Sequence, residues 1–180
     1  YVSPRHADMA LPALSGWLGH DSPFAFDLGY TPGAGIARMR VGTPPIVQMA
    51  ALDAALDAWD DVNMADLRVR SIELSDRFIA GVEATCPDLI LASPRDATQR
   101  GSQVSFRFAD GYAAMQALIA HKVIGDFRAP DIMRFGFSPL YNRFADVQLA
   151  SETLASVLVG GAYREARFRL QSLDGAGDNA

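Results

Sequence analysis

One arginine interrupts an apolar stretch near the end of the sequence. Arg134 lies in the middle of residues 132–137, IMRFGF. Alternation along a strand places its side chain on the same side as Gly136, and we expect apolar surroundings with space beside the glycine. An unpaired buried guanidinium costs several kcal/mol or more, so an anion should meet this side chain.

Two kinds of anion can satisfy Arg134. One is an internal carboxylate, for which Asp126, Asp131 and Asp146 are the nearby candidates. The other is the carboxylate of a ligand, which suits arginine because its planar fork presents parallel N–H donors. The residue pattern leaves both open.

A second group of unusual residues lies in the stretch GWLGH, residues 16–20. Trp17 can donate its indole N–H to an anion, or it can fill a gap beside a neighbouring subunit. For His20 we expect a hydrogen bond within a loop or a cap rather than catalysis. Glycines on both sides favour a loop that presents these side chains.

Anion binding is also a possible role for Thr43, which precedes Pro44 and Pro45. We expect a helix to start here, with Thr43 as its cap, and a helix N-terminus with a hydroxyl suits phosphate. Arg95, Arg100 and the pair Gly101–Ser102 could also bind an anion, but we expect them to be solvated loop residues.

The remaining pattern predicts the elements that position these side chains. Residues 1–43 are rich in Gly, Pro and Ser and predict an irregular segment. Two amphipathic helices follow, the second starting at Asn63 and ending before Pro87. Further predicted elements are strands at 89–92, 103–108, 123–127 and 132–137, a helix at 111–121 and a closing helix from Val147 to Leu158. This order predicts an α+β domain whose mainly antiparallel sheet is covered by helices on one side.

Composition narrows the function classes. The formal charge of −5 and the scattered basic residues argue against nucleic-acid binding. No apolar run is long enough to span a membrane and no signal-peptide pattern is present, so we expect a cytoplasmic protein. The single cysteine, Cys86, is expected to be an inert buried thiol, and no metal site is predicted.

Several stretches taken in order, GWLGH, GTPPI, SPRD, RGSQV and VIGDFRAPDIMRFGFSPLYNRF, resemble the C-terminal portion of bacterial kynureninases. The resemblance covers nearly the whole chain. It implies fold type I of the pyridoxal-phosphate enzymes. Residues 1–60 would then be the last part of the large cofactor-binding domain with a linking helix. Residues 61–172 would be the small α+β domain, followed by a disordered tail at 173–180.

The resemblance also implies a reaction and its residues. Kynureninases act in tryptophan degradation. They cleave L-kynurenine hydrolytically to anthranilate and L-alanine, or 3-hydroxykynurenine to 3-hydroxyanthranilate and L-alanine. By position, Trp17 and Thr43 match residues that bind the phosphate of pyridoxal 5'-phosphate from the partner subunit of a homodimer. Arg134 matches the arginine that holds the substrate α-carboxylate.

One departure from the family stands out: the lysine that attaches the cofactor has no match here. The one lysine, Lys122, lies at a predicted helix-to-strand junction. Because the chain begins with Tyr1 rather than methionine, we expect it to be part of a longer protein that carries this lysine upstream, and to be inactive alone. The alternatives are a regulatory α+β module that binds an amino acid through Arg134, or another fold type I enzyme such as a cysteine desulfurase or an aminotransferase.

Overall fold

The structure is a computed structural model and describes residues 1–169. The chain forms two units, Tyr1–Asp61 and a second that begins at Val62. Within the described residues, none of the helices combines the length and apolar character needed to cross a bilayer. The predicted disordered tail at 173–180 lies outside the described residues.

The first unit is mostly irregular, in agreement with its content of glycine and proline. Its α-helices are α1, Pro4–Ala7, and α2, Ile46–Leu56. Short 3-10 turns occupy Trp17–Gly19, Gly35–Met39 and Asp57–Trp59. None of the residues of α2 is buried.

The start of α2 differs from the sequence prediction. Pro45 is the residue before the first helical turn, and no side chain caps it. Thr43 is therefore not the N-cap of this helix. The physical reason is the double proline: the helical region is disfavoured for a residue that precedes proline, which applies to both Thr43 and Pro44.

The second unit contains three long helices and a sheet. The helices are α3, Met64–Thr85, α4, Gly111–Ala120, and α5, Phe144–Val159. The strands are β1, Ile90–Leu91, β2, Gln103–Arg107, β3, Asp126–Arg128, and β4, Ile132–Gly136. Up to residue 169, this unit also has three 3-10 turns, Ala97–Gln99, Ala162–Arg164 and Ala166–Phe168.

The four strands form an antiparallel sheet in the order β1-β2-β4-β3. Alternate residues of its central strands, Val104 and Phe106 on β2 and Met133 and Phe135 on β4, are buried in the core. The helices contribute the other half of that core, including Phe78, whose ring lies 4.8 Å from that of Phe135. The α+β prediction, with helices covering one side of an antiparallel sheet, is confirmed.

Local signals placed α3 correctly. The Asn63 side chain accepts hydrogen bonds from the backbone N–H groups of Ala65 and Asp66, at 2.8 and 3.3 Å. This cap satisfies two of the amides that a helix start leaves free. After the helix, Cys86 is buried, and burial raises the pKa of its thiol, as expected for an unreactive cysteine.

The prediction that Arg100 is a solvated loop residue is wrong. Its guanidinium is buried and donates to the carbonyls of Pro94 and Arg95, both at 2.9 Å. It also donates to the Ser75 hydroxyl at 3.1 Å and pairs with Asp76, both on α3. Ser75 and Asp76 are 25 and 24 residues away from Arg100 in sequence, so local polarity could not reveal these two partners.

Candidate functional site

The strand that carries Arg134 separates its side chains into two sets. Met133 and Phe135 enter the core, whereas Arg134 points to the other side of the sheet. Its cross-strand neighbours on that side are Ser105 on β2 and Asp126 on β3. The expectation of apolar surroundings is corrected: the neighbours are polar, because the sheet is covered by helices on its other side only.

Arg134 forms an ion pair with Asp126. The Nη2 group of Arg134 donates to Oδ2 of Asp126, and this hydrogen bond is the main reason why the pKa of Asp126 lies below its ordinary value. The carboxylate is thus charged at neutral pH. Of the two kinds of partner that the sequence left open, the internal carboxylate is the one present in the structure.

The ion pair with Asp126 leaves a hydrogen-bond donor of Arg134 and the space beside it unoccupied by the described residues. Among residues 1–169, its buried Nε has no hydrogen-bond partner. A Cβ placed on Gly136, which lies on the same side of β4, would meet nothing within 4 Å. The side chain of Arg134 is 29% exposed, so a small solute can reach the guanidinium from the open side of the sheet.

The glycines of GWLGH have a packing reason in the first unit. A Cβ on Gly16 would lie 1.6 Å from the Val41 carbonyl oxygen, and one on Gly19 would lie 2.5 Å from that of Arg38. Only glycine permits this backbone approach. The loop that carries Trp17 is thereby held against the segment that leads to Thr43, so these two predicted phosphate contacts belong to one part of the unit.

Trp17 lies at a cavity rather than in a core. Its side chain is 50% exposed and packs edge-on against Phe24, with 5.7 Å between ring centroids. The cavity has a volume of about 420 Å³ and is also lined by His20, Phe26 and Tyr30. Thr43 is exposed just before α2. Both side chains are therefore accessible as donors, and such N–H and O–H groups fit a phosphate.

His20 has the loop role that the sequence predicted. Its Nδ1 accepts a hydrogen bond from the Ser22 backbone N–H at 2.9 Å, and Nε2 lies 3.2 Å from the Gly29 carbonyl oxygen. An accepting Nδ1 leaves the proton on Nε2, which then donates to that carbonyl. The ring thus links two parts of this loop.

Sequence reasoning missed Arg38, which is buried in the first unit. Its Nε donates to the Gly33 carbonyl at 2.9 Å, and Nη2 pairs with the Asp8 carboxylate at 3.4 Å. Asp8 also accepts from the Gly35 N–H at 2.7 Å. Arg38 is the residue whose carbonyl contacts Gly19, so this network supports the loop that carries Trp17. Its apolar sequence neighbours, Ala37 and Met39, were the only available hint.

Comparison with protein families gives a match in the second unit. Residues 67–154 match the Kynureninase C-terminal domain, a stretch that includes Arg134 and most of the second unit. A kynureninase of Burkholderia mallei (strain SAVP1) is 47% identical over 170 residues, 93% of this chain. Residues 67–154 are thus a kynureninase C-terminal domain, and the chain is similar to kynureninases over nearly its whole length. A kynureninase of Pseudomonas fluorescens is 44% identical over 173 residues, 95% of the chain.

These two kynureninases are longer than this chain. The aligned residues make up 41% of the Burkholderia mallei protein and 42% of the Pseudomonas fluorescens protein. The chain therefore spans about two fifths of the length of these kynureninases.

Solved structures with a similar fold include two enzymes of longer chain length. The apo cysteine desulfurase from Thermococcus onnurineus NA1 aligns with a TM-score of 0.72 over 89% of this chain and 42% of its own, at 18% identity. A C-DES variant with glycine covalently linked to its PLP cofactor aligns with a TM-score of 0.63 over 80% of this chain and 37% of its own, at 23% identity. At these identities the likeness concerns the fold, which is that of the fold type I enzymes.

Proposed function

We propose that this chain is the C-terminal part of a kynureninase. The complete enzyme would hydrolyse L-kynurenine to anthranilate and L-alanine, or 3-hydroxykynurenine to 3-hydroxyanthranilate and L-alanine. The observation that carries the proposal is the 47% identity to a kynureninase over 93% of the chain. The complete enzyme would act in tryptophan degradation in the cytoplasm. An amino-acid-binding regulatory module is not favoured, because the relatives that match nearly the whole chain are named as enzymes.

We further propose that the first unit is the end of the large cofactor-binding domain and contributes to a cofactor site. Bound pyridoxal 5'-phosphate would supply an electron sink for the negative charge that develops next to the substrate carboxylate. Trp17 would donate its indole N–H, and Thr43 its hydroxyl, to the phosphate of the cofactor in the partner subunit of a homodimer. Support comes from the accessible cavity at Trp17 and from the glycine contacts that hold its loop near Thr43.

In this proposal Arg134 holds the substrate α-carboxylate. Fixing that group orients the amino acid so that the bond to be broken has one defined direction relative to the cofactor. Three features support the role: the open side of the sheet, the space beside Gly136, and a buried Nε that lacks a partner within the described part of the chain. The ion pair with Asp126 must then be exchanged for the ligand.

The lysine that attaches the cofactor would belong to sequence beyond these 180 residues. Lys122 is poorly suited to that role, because it is exposed, follows α4 and has a left-handed backbone with φ of 68°. We propose that the chain by itself has no kynureninase activity and that the full-length gene product has it.

A fluorescence assay tests both statements. The purified 180-residue chain and the full-length gene product are each given pyridoxal 5'-phosphate and L-kynurenine, and anthranilate fluorescence is followed. We expect anthranilate from the full-length protein and none from the chain alone. Anthranilate from the chain alone would show that the lysine assignment is wrong, whereas none from a folded full-length protein would refute the kynureninase assignment.

A further inference from the structure

We propose that Asp126 occupies the carboxylate site on Arg134 when no ligand is bound, and that it transfers to Arg128 when a ligand carboxylate arrives. The inference rests on the proposed function, since it assumes that Arg134 binds a substrate carboxylate. It adds a residue, Asp126, that competes with the ligand and thereby sets its affinity.

The register of the sheet creates the competition. Asp126 is the direct cross-strand partner of Arg134 in the antiparallel β3–β4 pair. Side chains at such positions are within reach of each other on the same side of the sheet. Asp126 Oδ2 accepts from Arg134 Nη2, so it occupies a donor that a ligand carboxylate would need.

A second guanidinium is already in place for Asp126. The same Oδ2 atom lies 3.2 Å from Nη2 of Arg128, two residues further along β3. One carboxylate oxygen therefore serves two arginines. A small side-chain rotation would leave Asp126 with Arg128 and release the Arg134 donors, so the carboxylate would not lose its ionic partner.

The exchange is sterically accessible. The side chains of Asp126 and Arg128 are 45% and 63% exposed, so neither is held by packing. Gly136 leaves open space on the same side of β4 as Arg134. An exposed ion pair is weak because water competes for both charges, which makes its replacement by a ligand carboxylate feasible.

The other charges near Arg134 also favour Asp126 as the carboxylate that competes with a ligand. Arg107 on β2 and Asp131 in the turn between β3 and β4 pair with each other at 3.3 Å. This leaves Asp126 as the carboxylate that neutralises Arg134 and Arg128 among the described residues. Without its charge, Arg134 would present a stronger positive potential to a ligand carboxylate.

The test uses the full-length gene product with bound cofactor and the variant Asp126→Asn, which keeps the shape of the side chain and removes its charge. Calorimetry measures binding of L-alanine, the proposed amino-acid product, and of L-alaninamide, which lacks the carboxylate. We expect L-alanine to bind roughly two- to fivefold more tightly to the variant, the range that an exposed ion pair implies. L-alaninamide should bind equally to both proteins.

A matched control is Asp131→Asn, which removes the other carboxylate of the same sheet region and leaves Asp126 in place. It should change neither dissociation constant. Equal or weaker L-alanine binding to a folded Asp126→Asn protein would overturn the proposal, because it would show that Asp126 supports Arg134 rather than competing for it.

If Asp126→Asn fails to fold, a second variant tests whether Asp126 competes with the ligand for Arg134. Arg128→Gln removes the alternative partner, so Asp126 should remain on Arg134 and L-alanine should bind more weakly. Where both variants fold, Arg128→Gln should have little effect in the Asp126→Asn background, because it acts through Asp126. An Arg128→Gln protein that binds L-alanine as the parent does would also overturn the proposal.

The failure of this inference can be told apart from failure of the proposed clamp. If Arg134→Lys leaves L-alanine binding unchanged, Arg134 does not hold the carboxylate and the clamp itself is refuted. If Arg134→Lys weakens binding but Asp126→Asn does not strengthen it, the clamp stands and the role of Asp126 is refuted.

Discussion

The replacement Arg134→Lys in the full-length enzyme separates a ligand clamp from a purely structural ion pair. Arginine offers parallel donors to a carboxylate, whereas lysine offers a point charge on a different stem. Hydrogen bonds to charged groups contribute about 1.5–3 kcal/mol each. Lysine would lose one of the two hydrogen bonds to the carboxylate and align the second one less well. This should cost about 2–4 kcal/mol of transition-state stabilisation, which lowers kcat/KM roughly 30- to 1000-fold.

The structure sharpens this test because Arg134 already has an internal partner. A lysine at this position can still pair with Asp126, so a residue that only joins β3 to β4 would tolerate the change. The assay is steady-state anthranilate fluorescence, with cofactor absorbance recorded on the same samples. We expect the absorbance to stay unchanged, since the phosphate contacts are proposed to lie in the first unit.

Arg107→Lys is the matched control, because Arg107 also forms an exposed ion pair on this side of the sheet. Its kcat/KM should remain within about twofold of the parent, in line with the small contribution of exposed pairs. An Arg134→Lys enzyme with the same kcat/KM as the Arg107→Lys control would refute the carboxylate clamp and leave the Asp126 pair as the whole role of Arg134.

Two further predictions concern the core and the cofactor site. Phe78→Ala should lower the free energy of unfolding by about 3–5 kcal/mol in urea titrations, since this fully buried ring contacts Phe135 and Phe137 at centroid distances of 4.8 and 5.1 Å. A loss below about 1 kcal/mol would contradict the packing described. Trp17→Phe keeps the ring and removes the indole N–H, so the dissociation constant of pyridoxal 5'-phosphate should rise roughly 10- to 150-fold. Unchanged cofactor affinity would exclude that N–H as a phosphate donor.

Most element positions were predictable because their signals are local. Asn63 caps the start of α3, and Pro87 prevents the helix from continuing. The alternation of residues along β4 identifies a strand. The errors occur where local signals conflict. Thr43 has the chemistry of a cap, but each of the two prolines after it disfavours a helical backbone in the residue before it, and the helix starts after Pro45. The strand predicted at 123–127 begins only at Asp126 in the structure, because the left-handed Lys122 and the following loop come first.

The candidate site shows the same division. The sequence alone singled out Arg134, Trp17 and Thr43, because a charge in an apolar strand, an aromatic between glycines and a hydroxyl before a helix are visible in the order of residues. It also indicated that an aspartate could be the partner of Arg134, but it could not choose among three.

Tertiary structure made that choice. The β3–β4 register places Asp126 opposite Arg134, and the layering of helices leaves their side of the sheet open. Tertiary packing also buries Arg100 against α3 and brings the backbone of Gly16 into contact with Val41. Each of these contacts joins segments that are separated along the chain. Residue type and spacing determine how a segment folds locally, whereas the partner of a side chain depends on which distant segment the packing brings beside it.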